Sequence, residues 1–384
     1  MIALIAAFAL QSPPPDVQAM MNQIDPARLR ATVEKLASYQ TRNTNHPMLL
    51  EAAEWLAGEY RKIPGLQVEL MRYTLPAGRR VPEEKDVLQV VARLPGKDDR
   101  IILVGGHIDS LSLRDRSPDT RAPGANDDAS GTALALELAR VLSQRKWEHT
   151  LVFVAFSGEE QGLLGAKALA QRAKEEGWKI DAMLNNDTIG SSSNLNGQSD
   201  TARVRLFSEL SEDHDSRELA RFIEWATRDK VPGFNVKLVF RRDRFGRGGD
   251  HTPFATAGFA AVRFVERHEE YTRQHTPEDL PQYVDFNHLA NVTRLNLVAM
   301  AGLADAGPPP ANVRIGRRQS HDTTLTWESK PGVKYVVYWR ETTSPVWQWS
   351  REVGETDTVT LEKVSKDDHE YAVGAVGGLP VAAR

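Results

Sequence analysis

Histidine and acidic side chains follow one short apolar segment in a pattern that suits metal binding. The apolar run at residues 101–104 is followed by two glycines and then by His107-Ile108-Asp109. Because side chains alternate between the two faces of a strand, His107 and Asp109 lie on the same face, where Asp109 can accept the second ring N–H of His107. This pairing fixes the tautomer of a histidine that binds a metal. The segment therefore predicts half of a metal site.

Further acidic residues and one late histidine could complete this site. They are Asp127 in a glycine-flanked loop, Glu159 and Glu160 after the apolar run 151–156, Asp187 after the run 180–184, and His275. Two-metal hydrolytic sites use about five such ligands, with one carboxylate bridging the metals and a free carboxylate near the attacking water. Neighbouring Glu159 and Glu160 point in different directions, so one can bind metal while the other works on water.

Each of these residues also has a simpler explanation when it is taken alone. A single histidine is more often a hydrogen-bonded structural residue, and paired aspartates more often cap a helix or form a turn. Paired glutamates more often begin a solvated helix. The shared position of all these residues after successive strands favours the metal site.

The elements that must position these side chains alternate between strand and helix. Apolar runs predict strands near residues 68–71, 87–94, 101–104, 151–156, 180–184, 204–207, 236–240 and 260–265. Apolar periodicity predicts helices near residues 47–62, 130–142, 216–228 and 286–304, and Asp25-Pro26 is a good start for another helix. The alternation predicts an α/β domain with a mostly parallel sheet, whose site lies beyond the carboxyl ends of the strands.

The composition of the chain changes at Gly307-Pro308-Pro309-Pro310, where the prolines indicate a stiff linker. Beyond it, short alternating or β-branched runs predict a small all-β sandwich. We therefore divide the chain into a signal-like N-terminal tail (1–24), an α/β domain (25–306), a proline-rich linker (307–312) and a β-sandwich (313–384). Trp347 and Trp349 could contact a substrate or a surface, but covering the core of the sandwich is the simpler role.

Composition argues against several kinds of partner and chemistry. The chain has 384 residues, a net charge of −4 and no long basic block, so we expect no binding to nucleic acid. It has no cysteine, so any metal must be held by histidine, aspartate and glutamate.

The apolar residues 1–10 are too short to span a bilayer, and we expect no integral membrane segment. They resemble the core of a secretory signal without its basic region, which predicts a periplasmic or secreted protein. An apolar tail docked on the domain is the alternative, and a cytoplasmic location stays open.

Five motifs, in order from residue 105 to residue 279, resemble those of the M28 family of zinc aminopeptidases. They are Gly-Gly-His107-Ile-Asp109-Ser, Pro-Gly-Ala-Asn-Asp127-Asp-Ala-Ser-Gly, Phe-Ser-Gly-Glu159-Glu160-Gln-Gly-Leu-Leu-Gly, Asn-Asn-Asp187-Thr-Ile-Gly and Gln-His275-Thr-Pro-Glu-Asp. The resemblance covers essentially the whole first domain. It implies a three-layer α/β sandwich with a mostly parallel mixed sheet of the zinc-peptidase type.

The resemblance also implies two zinc ions and a role for each motif residue. The implied ligands are Asp127 for both ions, His107 and Asp187 for one ion, and Glu160 and His275 for the other. The family pattern makes Glu159 the general base, which takes a proton from water between the ions, and makes Asp109 the partner of His107. It also implies a cis peptide bond between Asp127 and Asp128.

The sequence departs from the family in the loop 246–254, which resembles a stretch near the substrate. Some members carry a tyrosine there that stabilises the oxyanion, but this chain has Gly248 and Gly249. Tyr271 and Arg247 are the candidates for that role, although packing or facing solvent is as reasonable for either. The next two residues, Asp250 and His251, could line the pocket or hydrogen-bond within the loop.

The β-sandwich segment resembles a fibronectin type III module around Trp327, Trp339 and Tyr371. Taken together, these features predict a two-zinc exopeptidase that removes N-terminal residues from peptides. A carboxypeptidase or dipeptidase and a single-zinc glutaminyl cyclase on the same fold are alternatives. A metal-free binding protein and an adhesion protein that acts through its sandwich are alternatives of another class, against which the intact Glu159 argues.

Overall fold

The computed structural model describes residues 14–115, 117–209, 215–244 and 246–384. Its helices are α1 (Pro15–Met21), α2 (Pro26–Ser38), α3 (Met48–Arg61), α4 (Ala129–Leu142), α5 (Leu164–Glu175), α6 (Asp215–Thr227), α7 (His251–Thr256) and α8 (Phe286–Ala304), with a 3-10 helix at Pro281–Tyr283. The strands of the first domain are β1 (Gln67–Leu75), β2 (Lys85–Leu94), β3 (Arg100–His107), β4 (Thr150–Phe156), β5 (Lys179–Asn186), β6 (Arg203–Phe207), β7 (Asn235–Val239) and β8 (Ala261–Glu266).

These eight strands form one mixed sheet in the order β1-β2-β4-β3-β5-β8-β6-β7. The four central strands, β4, β3, β5 and β8, run parallel to one another. β2 and β6 join this group in the antiparallel direction. All seven residues of β4 are buried, as expected for a strand covered on both faces.

Helices cover both faces of the sheet. α1, α2, α3, α4, α6 and α8 contribute to the large apolar core on one face, and α5 and α7 contribute to the smaller core on the other. α4 follows β3 and is almost entirely buried, with the Asp128 side chain accepting the N–H of Gly131 at its start. The three-layer sandwich with a mostly parallel mixed sheet is therefore confirmed.

Part of the N-terminal segment 1–24 forms a helix that packs on the first domain. Residues 15–21 form α1, whose buried Val17, Met20 and Met21 join the large core. Pro26 at the first position of α2 and the Asp25 cap agree with the prediction. The signal-like residues 1–10 lie outside the described residues. Within the described part, no helix has both the length and the apolar character needed to cross a bilayer.

The C-terminal part is all-β, as predicted. Its strands are β9 (Ala311–Ile315), β10 (Thr323–Glu328), β11 (Tyr335–Glu341), β12 (Trp349–Gly354), β13 (Thr358–Leu361), β14 (His369–Ala375) and β15 (Val381–Ala382). They form antiparallel sheets in the orders β13-β10-β9 and β12-β11-β14-β15. The two sheets enclose a core of their own, which is consistent with a fibronectin type III-like sandwich.

The sandwich packs against α6 through aromatic side chains. The rings of Trp225 and Tyr338 lie 5.0 Å apart in a perpendicular arrangement. Trp347 is only 1% exposed and clusters with Tyr338 rather than with the core between the sheets. The suggestion that Trp347 contacts substrate or covers the sandwich core is therefore wrong, because this side chain fills the junction between the two domains.

Candidate active site

Four of the five residues expected to bind metal follow the carboxyl ends of the parallel strands. His107 is the last residue of β3, Asp127 lies in the loop from β3 to α4, Glu160 follows β4 and Asp187 follows β5. These strands are neighbours in the sheet, so the polar loops at their ends meet at one edge. His275 reaches the same place from the loop between β8 and α8.

Asp127 contacts both histidines, one through each carboxylate oxygen. Its Oδ1 lies 3.0 Å from His107 Nε2, and its Oδ2 lies 3.1 Å from His275 Nε2. Asp187 Oδ1 is 3.8 Å from His107 Nε2, and Glu160 Oε2 is 3.2 Å from His275 Nε2. The site therefore consists of an inner group, His107 and Asp187 with Asp127 Oδ1, and an outer group, Glu160 and His275 with Asp127 Oδ2.

The spacing and charge of both groups fit zinc. Bonds of about 2.0 Å in a tetrahedron put ligand atoms about 3.3 Å apart, close to the distances between these side chains. Burial lowers the pKa of His275, but Glu160 and Asp127 outweigh it and raise that pKa to about 11. Among the described residues, Glu160 Oε1 and Asp187 Oδ1 have no hydrogen-bond donor. The cluster therefore favours positive charge. Bound zinc would supply that charge in place of the ring protons, because histidine binds zinc in its neutral form.

Asp128 also lies close to His107 and Asp187, but its carboxylate is engaged elsewhere. Ligand atoms of His107, Asp128 and Asp187 all fall within 4.8 Å of one another. The Asp128 oxygens, however, accept the N–H groups of His107 at 3.0 Å and Gly131 at 2.8 Å. The geometry therefore favours Asp127 over Asp128 as the shared carboxylate. The peptide bond between these two aspartates is cis, as the family resemblance implied.

Asp109 contacts the predicted partner His107 and also the loop after β4. The ring Nδ1 of His107 lies 3.0 Å from the main-chain oxygen of Asp109 and 3.6 Å from its carboxylate. The carboxylate instead accepts the N–H groups of Glu159 and Glu160, each at 3.2 Å, and the hydroxyl of Thr44 at 3.1 Å. The Asp109 carboxylate therefore also serves the loop after β4, and its role as the partner of His107 stays a prediction.

A buried arginine supports Asp187 and was missed from the sequence. Arg263 is 1% exposed, and its Nη2 lies 2.8 Å from Asp187 Oδ2. Burial raises the pKa of Asp187, but Arg263 and His107 outweigh it and hold that pKa at about 2. Arg263 is a charged residue inside the otherwise apolar interior of β8, and that contrast was the available signal.

Two other residues that hold the ligand loops were also missed. Asp279 accepts the N–H groups of Asn126 and Asp127, both at 2.9 Å. The fully buried Arg42 donates to the main-chain oxygens of Ile108, Leu36, Pro123 and Gly124. Asp279 belongs to the quoted His-Thr-Pro-Glu-Asp motif, whereas nothing near Arg42 in the sequence pointed to the site.

Glu159 lies next to the ligands without contacting a histidine. It is half-buried and lines a cavity of about 380 Å³ together with Asp127, Glu160 and His275. Burial raises the pKa of Glu159 to about 8, and the negative charges of Asp187 and Glu160 add to this increase. A carboxylate of this kind can exchange a proton with a group in the cavity near neutral pH.

Of the four expected substrate contacts, Arg247 lines the cavity, and Tyr271, Asp250 and His251 are not in its described lining. Arg247 lines the 380 Å³ cavity and pairs with Glu269 at 2.8 Å. Tyr271 is 52% exposed, and its hydroxyl donates to Glu269 instead of facing the cavity. Asp250 and His251 are buried and are absent from the described lining of the cavity. His251 Nε2 lies 2.9 Å from Glu209, so the role within the loop fits it better.

The fold and the two ligand groups define a metal-dependent hydrolase with its site at the edge of a parallel sheet. Residues 89–300 match peptidase family M28. A probable zinc metalloprotease of Leptosphaeria maculans is 36% identical over 410 residues, which cover 95% of each chain. The protein therefore belongs to peptidase family M28 and is a zinc-dependent peptidase.

Solved structures show the same fold at low sequence identity. An aminopeptidase from Aneurinibacillus sp. strain AM-1 has a TM-score of 0.59 and 18% identity, over 76% of this chain and 97% of that chain. A glutaminyl cyclase from Fimbriiglobus ruber has a TM-score of 0.57 and 20% identity, over 71% of this chain and 94% of that chain. This fold thus occurs in enzymes with different reactions.

Proposed function

We propose that this peptidase is a two-zinc aminopeptidase that hydrolyses the N-terminal bond of peptides. The observation that carries the proposal is the position of Asp127, whose two oxygens face His107 and His275 separately. One carboxylate between two ligand groups is the arrangement of a two-metal hydrolytic site. His107 and Asp187 would hold one ion, and Glu160 and His275 would hold the other.

Zinc bound at such a site makes water more acidic and polarises the carbonyl of the scissile bond. Glu159 accepts the proton of the attacking water on its carboxylate and then donates it to the departing amine nitrogen. Its neighbour Asp109 keeps it in position by accepting its main-chain N–H. Arg247 lines the same cavity and is the better of the two candidates for contacting the substrate oxygen, since Tyr271 points to Glu269.

An acidic cavity on another side of Asp127 supports recognition of an amine. It has a volume of about 20 Å³ and is lined by several carboxylates, among them Glu266, Glu269 and Glu270. Glu266 is fully buried, and its Oε1 has no hydrogen-bond donor among the described residues. A cavity of this size accepts a group as large as a water molecule, which suits the terminal ammonium of a peptide.

Zinc content and a small substrate panel test this proposal. The purified protein should hold two zinc ions per chain and should release the chromophore from aminoacyl-anilides. Anilides with an acetylated N-terminus should be inert, because they lack the ammonium group. Cleavage of N-blocked peptides from the carboxyl end would replace the proposal by a carboxypeptidase.

A glutaminyl cyclase is the second candidate, because the structural neighbours include glutaminyl cyclases. The full set of five ligands, with Asp127 between the inner and outer groups, argues against a single-zinc cyclase. Cyclisation of an N-terminal glutamine without release of an amino acid would favour the cyclase.

A further inference from the structure

The 380 Å³ cavity beside Glu159 has an unusual lining for an enzyme that would prefer apolar residues. Besides the residues of the candidate centre, it is lined by Arg80, Arg247 and Leu163 and by the glycines 162, 246 and 248. Leu163 is the only apolar side chain larger than alanine among these described residues. An apolar substrate side chain would therefore find little surface to contact, whereas an acidic group would find two guanidinium groups.

The two arginines differ in how their charges are balanced. Arg247 Nη1 lies 2.8 Å from Glu269 and 3.5 Å from Asp243, so two carboxylates already face it. Arg80 donates from Nη1 to the main-chain oxygen of Glu160 at 2.9 Å. No ion pair within the described part of the chain involves Arg80, so its charge remains available to a ligand.

The main chain around Arg80 is held in place. Arg80 lies in the connection between β1 and β2, where Gly78 and Val81 exchange two main-chain hydrogen bonds of 2.8 and 3.2 Å. The side chain of Asn45 donates to the main-chain oxygen of Arg80 at 3.0 Å. Together with the contact to Glu160, these bonds direct the guanidinium to the cavity before a ligand arrives, which lowers the entropic cost of binding.

We propose that Arg80 selects peptides that carry a carboxylate close to the scissile bond. A guanidinium group binds a carboxylate through two parallel hydrogen bonds, so it favours this group over a neutral amide of the same shape. The carboxylate is either the C-terminus of a di- or tripeptide or the side chain of aspartate or glutamate. This inference rests on the proposed peptidase function and adds the class of substrate to it.

Matched peptides test the inference and separate the two sources of the carboxylate. One pair consists of a dipeptide with a free and with an amidated C-terminus, and the other consists of a longer peptide with glutamate or glutamine beside the scissile bond. The zinc-loaded wild type should have a kcat/KM about tenfold or more higher for the acid in at least one pair, mainly through KM. Arg80→Gln should remove most of that ratio, whereas Arg79→Gln should keep it.

Equal rates on acid and amide in both pairs, or an unchanged ratio in Arg80→Gln, would overturn the inference. Binding of succinate to the zinc-loaded protein, measured by calorimetry, keeps the inference separate from the proposed activity. Succinate affinity should fall about tenfold in Arg80→Gln and stay constant in Arg79→Gln. If no peptide is hydrolysed but this difference in affinity is found, the proposed function fails and the role of Arg80 stands. Equal succinate affinity in all three proteins rejects the role of Arg80.

Discussion

The inner and outer ligand groups are built from different kinds of structure. His107 ends β3 and Asp187 follows β5, and both side chains are at most 1% exposed. His275 belongs to a long loop, has a positive φ of 57° and is 27% exposed at its side chain. The inner group therefore forms with the sheet, whereas the outer group also depends on how loops are held against the sheet.

The supporting contacts differ in the same way. Arg263, from the strand beside β5, balances the charge of Asp187 in the inner group. In the outer group, hydrogen bonds to the main chain hold the ligands in place. Asp109 accepts the N–H of Glu160, and the N–H of Leu113 donates to the main-chain oxygen of His275 at 2.9 Å. A charged side chain thus supports the inner group, and hydrogen bonds between loops support the outer group.

The largest expected effect concerns Glu159, which lies beside the outer group without belonging to it. Glu159→Gln keeps the volume of the side chain but cannot accept a proton from water. Turnover should fall by roughly 10²–10⁴, with zinc content unchanged, because a general base is lost and no ligand is removed. Steady-state kinetics and metal analysis of the same preparation measure both quantities.

Glu160→Gln is the matched control, since it changes the neighbouring ligand. We expect this variant to bind zinc more weakly at one site and to recover part of its activity when zinc is added in excess. Equal loss of zinc in both variants would show that the base and the ligand are assigned wrongly within this pair.

The second prediction concerns the buried arginine of the inner group. Arg263→Met should lower the free energy of unfolding of the zinc-free protein by about 3–5 kcal/mol, because Asp187 loses its buried counter-charge. Zinc should reverse part of this loss by supplying positive charge next to Asp187. Denaturant unfolding with and without zinc measures the difference.

Arg247→Met is the control for this prediction. Glu269 loses one partner in this variant but keeps a second, because it also pairs with Arg205. Its effect on stability should be smaller than that of Arg263→Met and should depend less on zinc. An Arg263→Met protein that is equally destabilised with and without zinc would contradict the proposed link between Arg263 and the inner ion.

The inner group was easier to predict from the sequence than its supports. His107 and Asp187 directly follow apolar runs, and residues after parallel strands meet at one edge by geometry alone. His275 follows no strand directly, so the residues alone offered it as a possible ligand and only the family resemblance assigned it to an ion. The contacts of Asp109 with the loop after β4 could not be predicted, because its distance to Glu159 in the sequence hides their proximity in the fold. Arg42 was missed for the same reason, since its partners come from three separate segments.

The third prediction compares His107 with another buried histidine. Burial lowers the pKa of His107, but the carboxylates around it reverse this and raise its pKa well above the usual value. His288 in α8 is 2% exposed, packs against the ring of Phe234, and has a pKa that burial lowers to about 4. The unfolded chain therefore binds a proton at His288 from about pH 6.5 downwards, whereas the folded protein does so only near pH 4.

His288 should therefore destabilise the fold as the pH falls from about 6.5 to 4, by about 3 kcal/mol in total. Above pH 6.5 the residue is neutral in both states and this contribution is constant. In His288→Gln the unfolding free energy should depend less steeply on pH across this window. The difference in slope should correspond to at most one proton taken up on unfolding. A wild-type slope that His288→Gln leaves unchanged would show that this histidine does not titrate as described.

The smallest expected effect decides which ligand group Asp109 serves. Asp109→Asn keeps the shape of the side chain but places an NH₂ group against one of the N–H donors of Glu159 and Glu160. We expect the affinity for the outer zinc to fall about 10–100-fold, as is usual when a residue that orients a ligand is changed, with the inner zinc unaffected. Chelator competition measures the two affinities.

In a double-mutant cycle, Asp109→Asn should add little to the loss already caused by Glu160→Gln, because both act on the same ion. Thr44→Val, which removes only the hydroxyl donor to Asp109, should have a weaker effect of the same kind. Full additivity with Glu160→Gln would instead place Asp109 with the inner group, through His107, as the sequence pattern alone predicts.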